Sequence, residues 1–454
     1  MVGYLIFLFV FIMFYIKYVP KKLQTLFLTQ LTILLVLLIV SNILSSHYSG
    51  RNYPAIFDDG IKYHIIGQIW AENVGFVPRV SDIGIIAEKW PVYIDQLGWE
   101  VMTNPFSFLA PGWTLLIVGN IYNLFGVNPV FIKLINILFF QISALLFFRI
   151  IYKPNADWKI FLKLFMFFPI LMFYSVTFLK ESFILLLILL FVYYVKVHKS
   201  NIILFLCLVL LFITRPPALF IIGLGYFISL INFKNVKPLL IGSLFSFLMM
   251  MILWNINIGG FGLKYVMTDM YFGLTPRGSE ELRFANGLHF FQFILSNPLM
   301  IMKPILFGFI DVVMNPNPWN FIYITDPYTT VGFSYYWEQI GHYLSSFYWY
   351  FFLLILFPAV AILKGQKKLL IALKRNKFYI FIYLTNLFYM GLRADLRYKF
   401  VFMPILMILG YEIITQTKIH KNVRLNYILL FIIPAISLAI FDTFFWGRTT
   451  ISIV

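Results

Sequence analysis

Uninterrupted apolar runs of roughly 15–22 residues, separated by short polar or basic segments, dominate the chain, and about 20 residues carry a helix across a bilayer. The runs fall near 2–18, 24–46, 130–151, 160–178, 182–196, 201–214, 217–232, 238–256, 346–363, 377–391, 401–416 and 426–446. Their continuity excludes barrel strands, which alternate apolar and polar positions. Two further stretches, 112–126 and 292–313, are apolar but short or interrupted by Gly and Pro, and predict re-entrant helices, interfacial helices or extra spans. The pattern therefore predicts an all-α, polytopic integral membrane protein with about 12–14 transmembrane helices. It forms a single transmembrane domain over 1–454, with two large outer loops, 47–129 and 257–345, that carry short amphipathic helices.

Composition strengthens this reading. Of 454 residues, 61% are hydrophobic and 12% charged, with a mean hydropathy of +0.88. A water-soluble fold has no interior large enough for so much apolar surface, so a soluble enzyme is excluded, and so is a basic nucleic-acid-binding tail. The 53 Phe are span and core packing. A lone Cys207 inside an apolar run leaves no intrachain disulfide and no thiolate metal site. His289 and His342 are far apart in sequence, so the sequence does not support a divalent-metal site, and it marks no other cofactor. The first apolar run leads to Pro20-Lys21-Lys22 without a small-residue cleavage site and reads as a retained helix.

Charge orders the spans. The net charge is +17, from 35 Lys+Arg against 18 Asp+Glu, and the basic clusters fall at alternate connections. Those at 17–22, 153–163, 196–199, 234–237, 364–377 and 418–424 lie on one side if 112–126 and 292–313 do not cross, and that side is cytoplasmic by the positive-inside rule. Both termini and the loops 47–129, 257–345 and 392–400 then face outward, in a multi-pass protein of the cell membrane. Seven acids, including Asp58, Asp59, Glu72 and Asp82, lie in the first outer loop, six in or beside the second, and Glu181 and Asp395 at outer helix ends. The acids concentrate on a working outer face.

Chemistry centres on Asp58-Asp59-Gly60-Ile61-Lys62-Tyr63-His64, which opens a stretch (61–74) of helical apolar spacing. Aspartates at a helix start either cap it, accepting unpaired N–H groups, or serve as a general base toward an acceptor hydroxyl. Glu181 follows Lys180 and is either an acid of the first helical turn partnered with Lys180, or an acceptor or metal contact opposite Asp59. Arg215, before Pro216-Pro217, interrupts an apolar stretch, and a cation there is a candidate for function. Arg393 and Arg397, four residues apart, share a helix face if the helix extends to them, and Lys399 follows; they either snorkel to lipid headgroups or meet a bound anion. Trp319 and Trp337, in a polar loop, suit either the interfacial aromatic belt or sugar stacking.

Five segments, in order, resemble the glycosyltransferase-C superfamily, which includes protein O-mannosyltransferases and lipid A aminoarabinose transferases. Asp59 followed four residues later by Tyr63 is similar to its first-loop signature. Ala110-Pro111-Gly112-Trp113-Thr114-Leu115-Leu116 through Leu124-Phe125-Gly126-Val127-Asn128 resembles the helix after that loop. Phe178-Leu179-Lys180-Glu181-Ser182, Ile213-Thr214-Arg215-Pro216-Pro217-Ala218-Leu219 and Leu396-Arg397-Tyr398-Lys399 before Pro404 resemble three later outer junctions. The resemblance spans about residues 50–405, with an additional N-terminal helix before it and Lys180-Glu181-Ser182 where some members carry Asp-Pro. It implies inverting transfer of a sugar from a polyprenyl-phosphate donor to a glycan, lipid or protein acceptor at the extracytoplasmic face. Asp59 would be the base, beside Asp58. Arg397, Arg393, Lys399 and Arg215 would hold the donor phosphate, and Tyr63, His64, Glu181, Trp319 and Trp337 the sugar and acceptor. Partners are thus lipid-linked sugar and membrane lipid, with no nucleic acid.

Two other classes fit part of the pattern. A polysaccharide polymerase or ligase using lipid-diphosphate glycans has similar spans and outer arginines. A lipid-linked sugar flippase or other transporter predicts interrupted helices in paired positions and charges at mid-bilayer, where Glu412 and Asp442 are the candidates.

Overall fold

A computed structural model describes residues 2–49, 58–76, 82–96, 110–154, 158–230, 341, 344–345, 348, 365–393 and 400–417. Among these residues the chain is helical and without strands, as an apolar environment demands of a backbone that must satisfy its own N–H and C=O groups. The elements are α1 (Val2–Tyr18), α2 (Gln24–Ser49), α3 (Asp58–Asn73), α4 (Ile83–Gln96), α5 (Pro111–Trp113), α6 (Asn120–Phe125), α7 (Pro129–Ile151), α8 (Trp158–Met166), α9 (Pro169–Ser175), α10 (Glu181–Tyr193), α11 (Asn201–Thr214), α12 (Pro216–Leu230), α13 (Gln366–Arg375), α14 (Lys377–Arg393) and α15 (Met403–Thr417). A π-wound stretch, Thr114–Gly119, joins α5 to α6.

Among the described residues, three helices are long and apolar enough to cross a membrane: Lys21–Ile43, Pro129–Ile151 and Glu181–His198. The bent pair α8–α9 makes a fourth if taken as one span. The stretches Gly3–Tyr18, Asn201–Thr214 and Pro216–Leu230 are apolar but shorter. The protein is a membrane protein. Expected spans 238–256, 346–363 and 426–446, the second large loop and the 292–313 element lie outside the described residues. The helices α7 and α10 form the centre and are mostly buried, whereas α2 turns most of its surface outward.

Among the described residues, α2 and α7 run in opposite directions between two ends of the bundle, Lys133 meeting Asn42 at one and Lys22 meeting Tyr152 at the other. At one end the lysine-bearing connections meet. Lys22 lies over the rings of Tyr152, Trp158 and Phe148, at 4.1, 5.0 and 5.7 Å from their centroids. Lys153 pairs with Glu412 at 2.7 Å, and Lys196 lies over Phe378 and Tyr379. Connections far apart in sequence thus share one end, as the charge pattern predicts. Glu412 is not the unpartnered mid-span acid expected from its apolar surroundings: α15 delivers it to the basic end, where Lys153 meets it.

Two local devices shape the bundle. Pro169 removes a backbone donor, and α8 and α9 bend by 50° at Phe167 and Phe168. The broken ladder is repaired from outside: Gln30 donates to the Met166 carbonyl, Gln141 donates to Gln30 at 3.0 Å, and the Ile170 N–H donates to Ser345 Oγ at 2.9 Å. Gly225 of α12 lets α14 approach so closely that an added Cβ would lie 2.5 Å from the Ile382 Cα.

Candidate functional site

The end opposite the basic cluster is built on α3, which lies across the segment 111–125. Tyr63, Ile65, Ile66, Ile69 and Trp70 are buried, and α4 covers α3 with Ile86 and Trp90. Glu72 accepts hydrogen bonds from Gln68 at 2.8 Å and from the Tyr93 hydroxyl, fastening α4 to α3. Segment 111–125 touches α11 at its start, where Thr214 Oγ1 sits against Gly112, and α1 at its finish, where Phe125 packs on Gly3. Both contacts belong to the same end, so the segment lies along that end and does not change sides. Asn128 then caps α7, accepting from the Val130 and Phe131 N–H groups, and donates to the Tyr4 hydroxyl at 2.7 Å.

Four segments converge on the inner face of α3. The His64 imidazole and Tyr122 hydroxyl are hydrogen-bonded at 2.8 Å, and the Phe178 ring packs on the imidazole edge at 5.9 Å between centroids. Burial pushes the His64 pKa down to about 4, against a weaker upward pull from Glu72. Lys180 Nζ sits 4.8 Å from the Tyr63 ring centroid, a cation–π arrangement in a dry site. The irregular stretch Thr177–Lys180 is held by Asn136 of α7, whose side-chain amide donates to the Thr177 and Leu179 carbonyls at 2.9 and 2.7 Å. One turn earlier on α7, Lys133 donates to Asn42 of α2 at 2.6 Å. The Trp113 ring packs on Phe183 at 6.1 Å.

Ionisable side chains are buried here. Lys133 is 0% exposed, Glu181 3%, Lys180 4% and Lys62 8%. Ionised groups in so dry a place are costly unless they meet one another or a bound ligand of opposite sign. Arg215 ends α11, half-buried beside Thr214, and its carbonyl accepts from the Ala218 N–H at 2.9 Å to start α12. The break ahead of Pro216-Pro217 is a tight turn at the bundle end, so Arg215 sits at the end of the bundle and not at mid-depth.

Among the expected site residues, Tyr63, His64, Glu181 and Arg215 come to this one end. Asp58 and Asp59 occupy the first turn of α3, and for them only the backbone is described. Asp59 lies four residues before Tyr63, on the same helix face. The positive end of the helix dipole favours an ionised carboxylate there, which suits capping and a base alike. Arg393 closes α14, again with the backbone alone described. Because Gly225 meets Ile382 in antiparallel packing, nine residues on along α14 and nine back along α12 lead to Gly391 and Pro216, so Arg393 and Arg215 share a level. Arg397, Lys399, Trp319 and Trp337 lie outside the described residues.

Several residues that sequence reasoning passed over belong to this site: Lys62, Tyr122, Asn136 and above all Lys133. A signal for Lys133 was available, because it is the single charge in the apolar stretch 130–148. Nothing local marks Tyr122, whose partner is 58 residues away. No three His, Cys, Asp or Glu side chains gather as metal ligands among the described residues. No family model, curated protein or solved structure matches the chain.

Proposed function

We propose that this protein is an inverting membrane glycosyltransferase that moves a sugar from a polyprenyl-phosphate donor to a cell-envelope acceptor at the extracytoplasmic face of the cell membrane. The observation that carries the reading is the buried cation Lys180 stacked on Tyr63, one helical turn from Asp59, beside the buried Lys62, Lys133 and Glu181. In this reading the Asp59 carboxylate takes the proton of the acceptor hydroxyl. The acceptor oxygen attacks the anomeric carbon from the face opposite the phosphate. The carbon–oxygen bond to phosphate breaks, and its electron pair leaves with the polyprenyl phosphate. The departing dianion needs cations at headgroup level, and Arg215, with Arg393 at the same level, joins Lys180 in that role. Arg397 and Lys399 remain proposed donor ligands, Asp58 a neighbour that tunes Asp59, and Tyr63, His64, Glu181, Trp319 and Trp337 the sugar and acceptor pocket.

The test is incubation of the purified protein with a panel of polyprenyl-phosphate sugars, scoring release of the lipid phosphate. Asp59→Asn is expected to lower transfer by about 10²–10⁴-fold with unchanged thermal stability, the range for a lost general base. Full activity in the Asn variant removes the base assignment. No release from any donor by the native protein removes the enzyme reading.

One observation favours a transporter instead. The bend at Phe167–Phe168, with the Gln30–Gln141 pair buried beside it, is the interrupted-helix pattern found around transport sites. Proteoliposomes that move a lipid-linked sugar between leaflets without releasing its sugar would support that reading.

A further inference from the structure

Helix α13 lies at the lysine-rich end. A single residue, Asn376, separates it from α14, whose Phe378 and Tyr379 lie beneath Lys196, and α13 also packs on α15. At 100° per residue, Leu369, Ala372, Leu373 and Asn376 form its inward face; Ala372 and Asn376 are buried, and the two leucines half-buried. The outward face carries Lys367, Ile371 and Lys374, flanked by Lys368 and Arg375, and the helix has no acid. Leu370 is 56% and Ile371 45% exposed. An isoleucine amid four cations gains nothing from facing water. It gains from a surface that is negative on top and apolar a few ångströms below. A membrane-spanning bundle meets such a surface where its helices end: lysine and arginine reach up to phosphates while leucine and isoleucine enter the headgroup–acyl boundary.

We propose that α13 is a docking surface for anionic phospholipids of the leaflet at the basic end, independent of the reaction at the other end. Lys367, Lys368, Lys374 and Arg375 meet the headgroups, and Leu370 and Ile371 insert beneath them. The occupant is lipid and not an acidic protein because α13 is joined to the bundle at the level where the bilayer ends, and because its outward face pairs charge with apolar side chains.

The test uses the full chain in vesicles of phosphatidylcholine alone or with phosphatidylglycerol. Cys207 is buried, so Ile371→Cys offers a selectively labelled thiol for an environment-sensitive fluorophore. Docking predicts quenching by lipids carrying a shallow nitroxide, little quenching by aqueous iodide, and a larger lipid effect when phosphatidylglycerol is present. In detergent, native mass spectrometry should show the parent protein retaining phosphatidylglycerol over phosphatidylcholine. Each cation near an anionic surface is worth about a fivefold preference, so Lys367→Gln with Lys374→Gln should cut it by roughly 25-fold. A fluorophore quenched by iodide and not by nitroxide lipids overturns the proposal, whether solvent or an acidic protein then covers the face. Equal retention of the two lipids by the parent protein overturns it as well.

Discussion

At the residue scale, His64 shows how burial sets a charge state. The imidazole lies against Tyr122 and Phe178, and burial favours its neutral form against a weaker upward pull from Glu72. Its folded pKa, about 4, lies below the ordinary histidine value of 6.5. The unfolded chain therefore binds the extra proton first on acidification. The resulting stabilisation is complete above pH about 6.5 and is lost as pH falls toward 4, amounting to about 3 kcal/mol in all. Thermal unfolding at pH 7.5 and 5.0 should show a large loss of stability for the native chain and a smaller one for His64→Phe; equal losses would remove His64 as the cause. The relation of Asp59 to Tyr63 was legible, because four residues on a helix is one turn. The partners of His64, Lys133 and Glu412 were not. Each partner lies 58 or more residues away, and only packing brings it into range.

At the scale of elements, the long helices α2, α7 and α10 followed from the apolar runs, whereas α4 and α13 lie outside them, and helix approach followed from single small residues. α12 and α14 sit close because Gly225 presents only hydrogen toward the Ile382 backbone. Even Gly225→Ala places a methyl 2.5 Å from the Ile382 Cα, and backbone does not yield as a side chain end does. We expect a loss of about 1–3 kcal/mol, the usual cost of overpacking, read as a lower unfolding temperature in detergent. Gly223→Ala on the same helix, with open space at its Cβ, is the control and should change little. A match between the two variants would mean that the close approach does not matter. The bend in α8–α9 had its cause in plain view at Pro169, but its repair by Gln30, Gln141 and Ser345 did not, since polar residues in apolar runs do not announce their partners.

At the scale of the whole molecule, sidedness is the open quantity that charge alone addresses. The structure puts α3, α4 and segment 111–125 at one end and the lysine connections at the other, and the positive-inside rule orients the pair. Asp82→Cys should react with a membrane-impermeant maleimide on intact cells, and Lys21→Cys only after permeabilisation; the reverse order would invert the topology and move the proposed site to the cytoplasm. Segment 111–125 illustrates the division of labour. Its short, glycine-broken apolar pattern left three alternatives, and contacts with Thr214 at one extremity and Gly3 at the other disfavour the extra span, leaving the re-entrant and interfacial helices. Membrane residence, helical backbone and the grouping of basic connections were written in composition and periodicity, because bilayer thickness and backbone hydrogen bonding act on each stretch of chain separately. Which buried lysine meets which ring, where a broken helix finds its missing partners and how close two helices lie were decided in three dimensions. Those quantities depend on side-chain packing between stretches distant in the chain, and no local pattern encodes it.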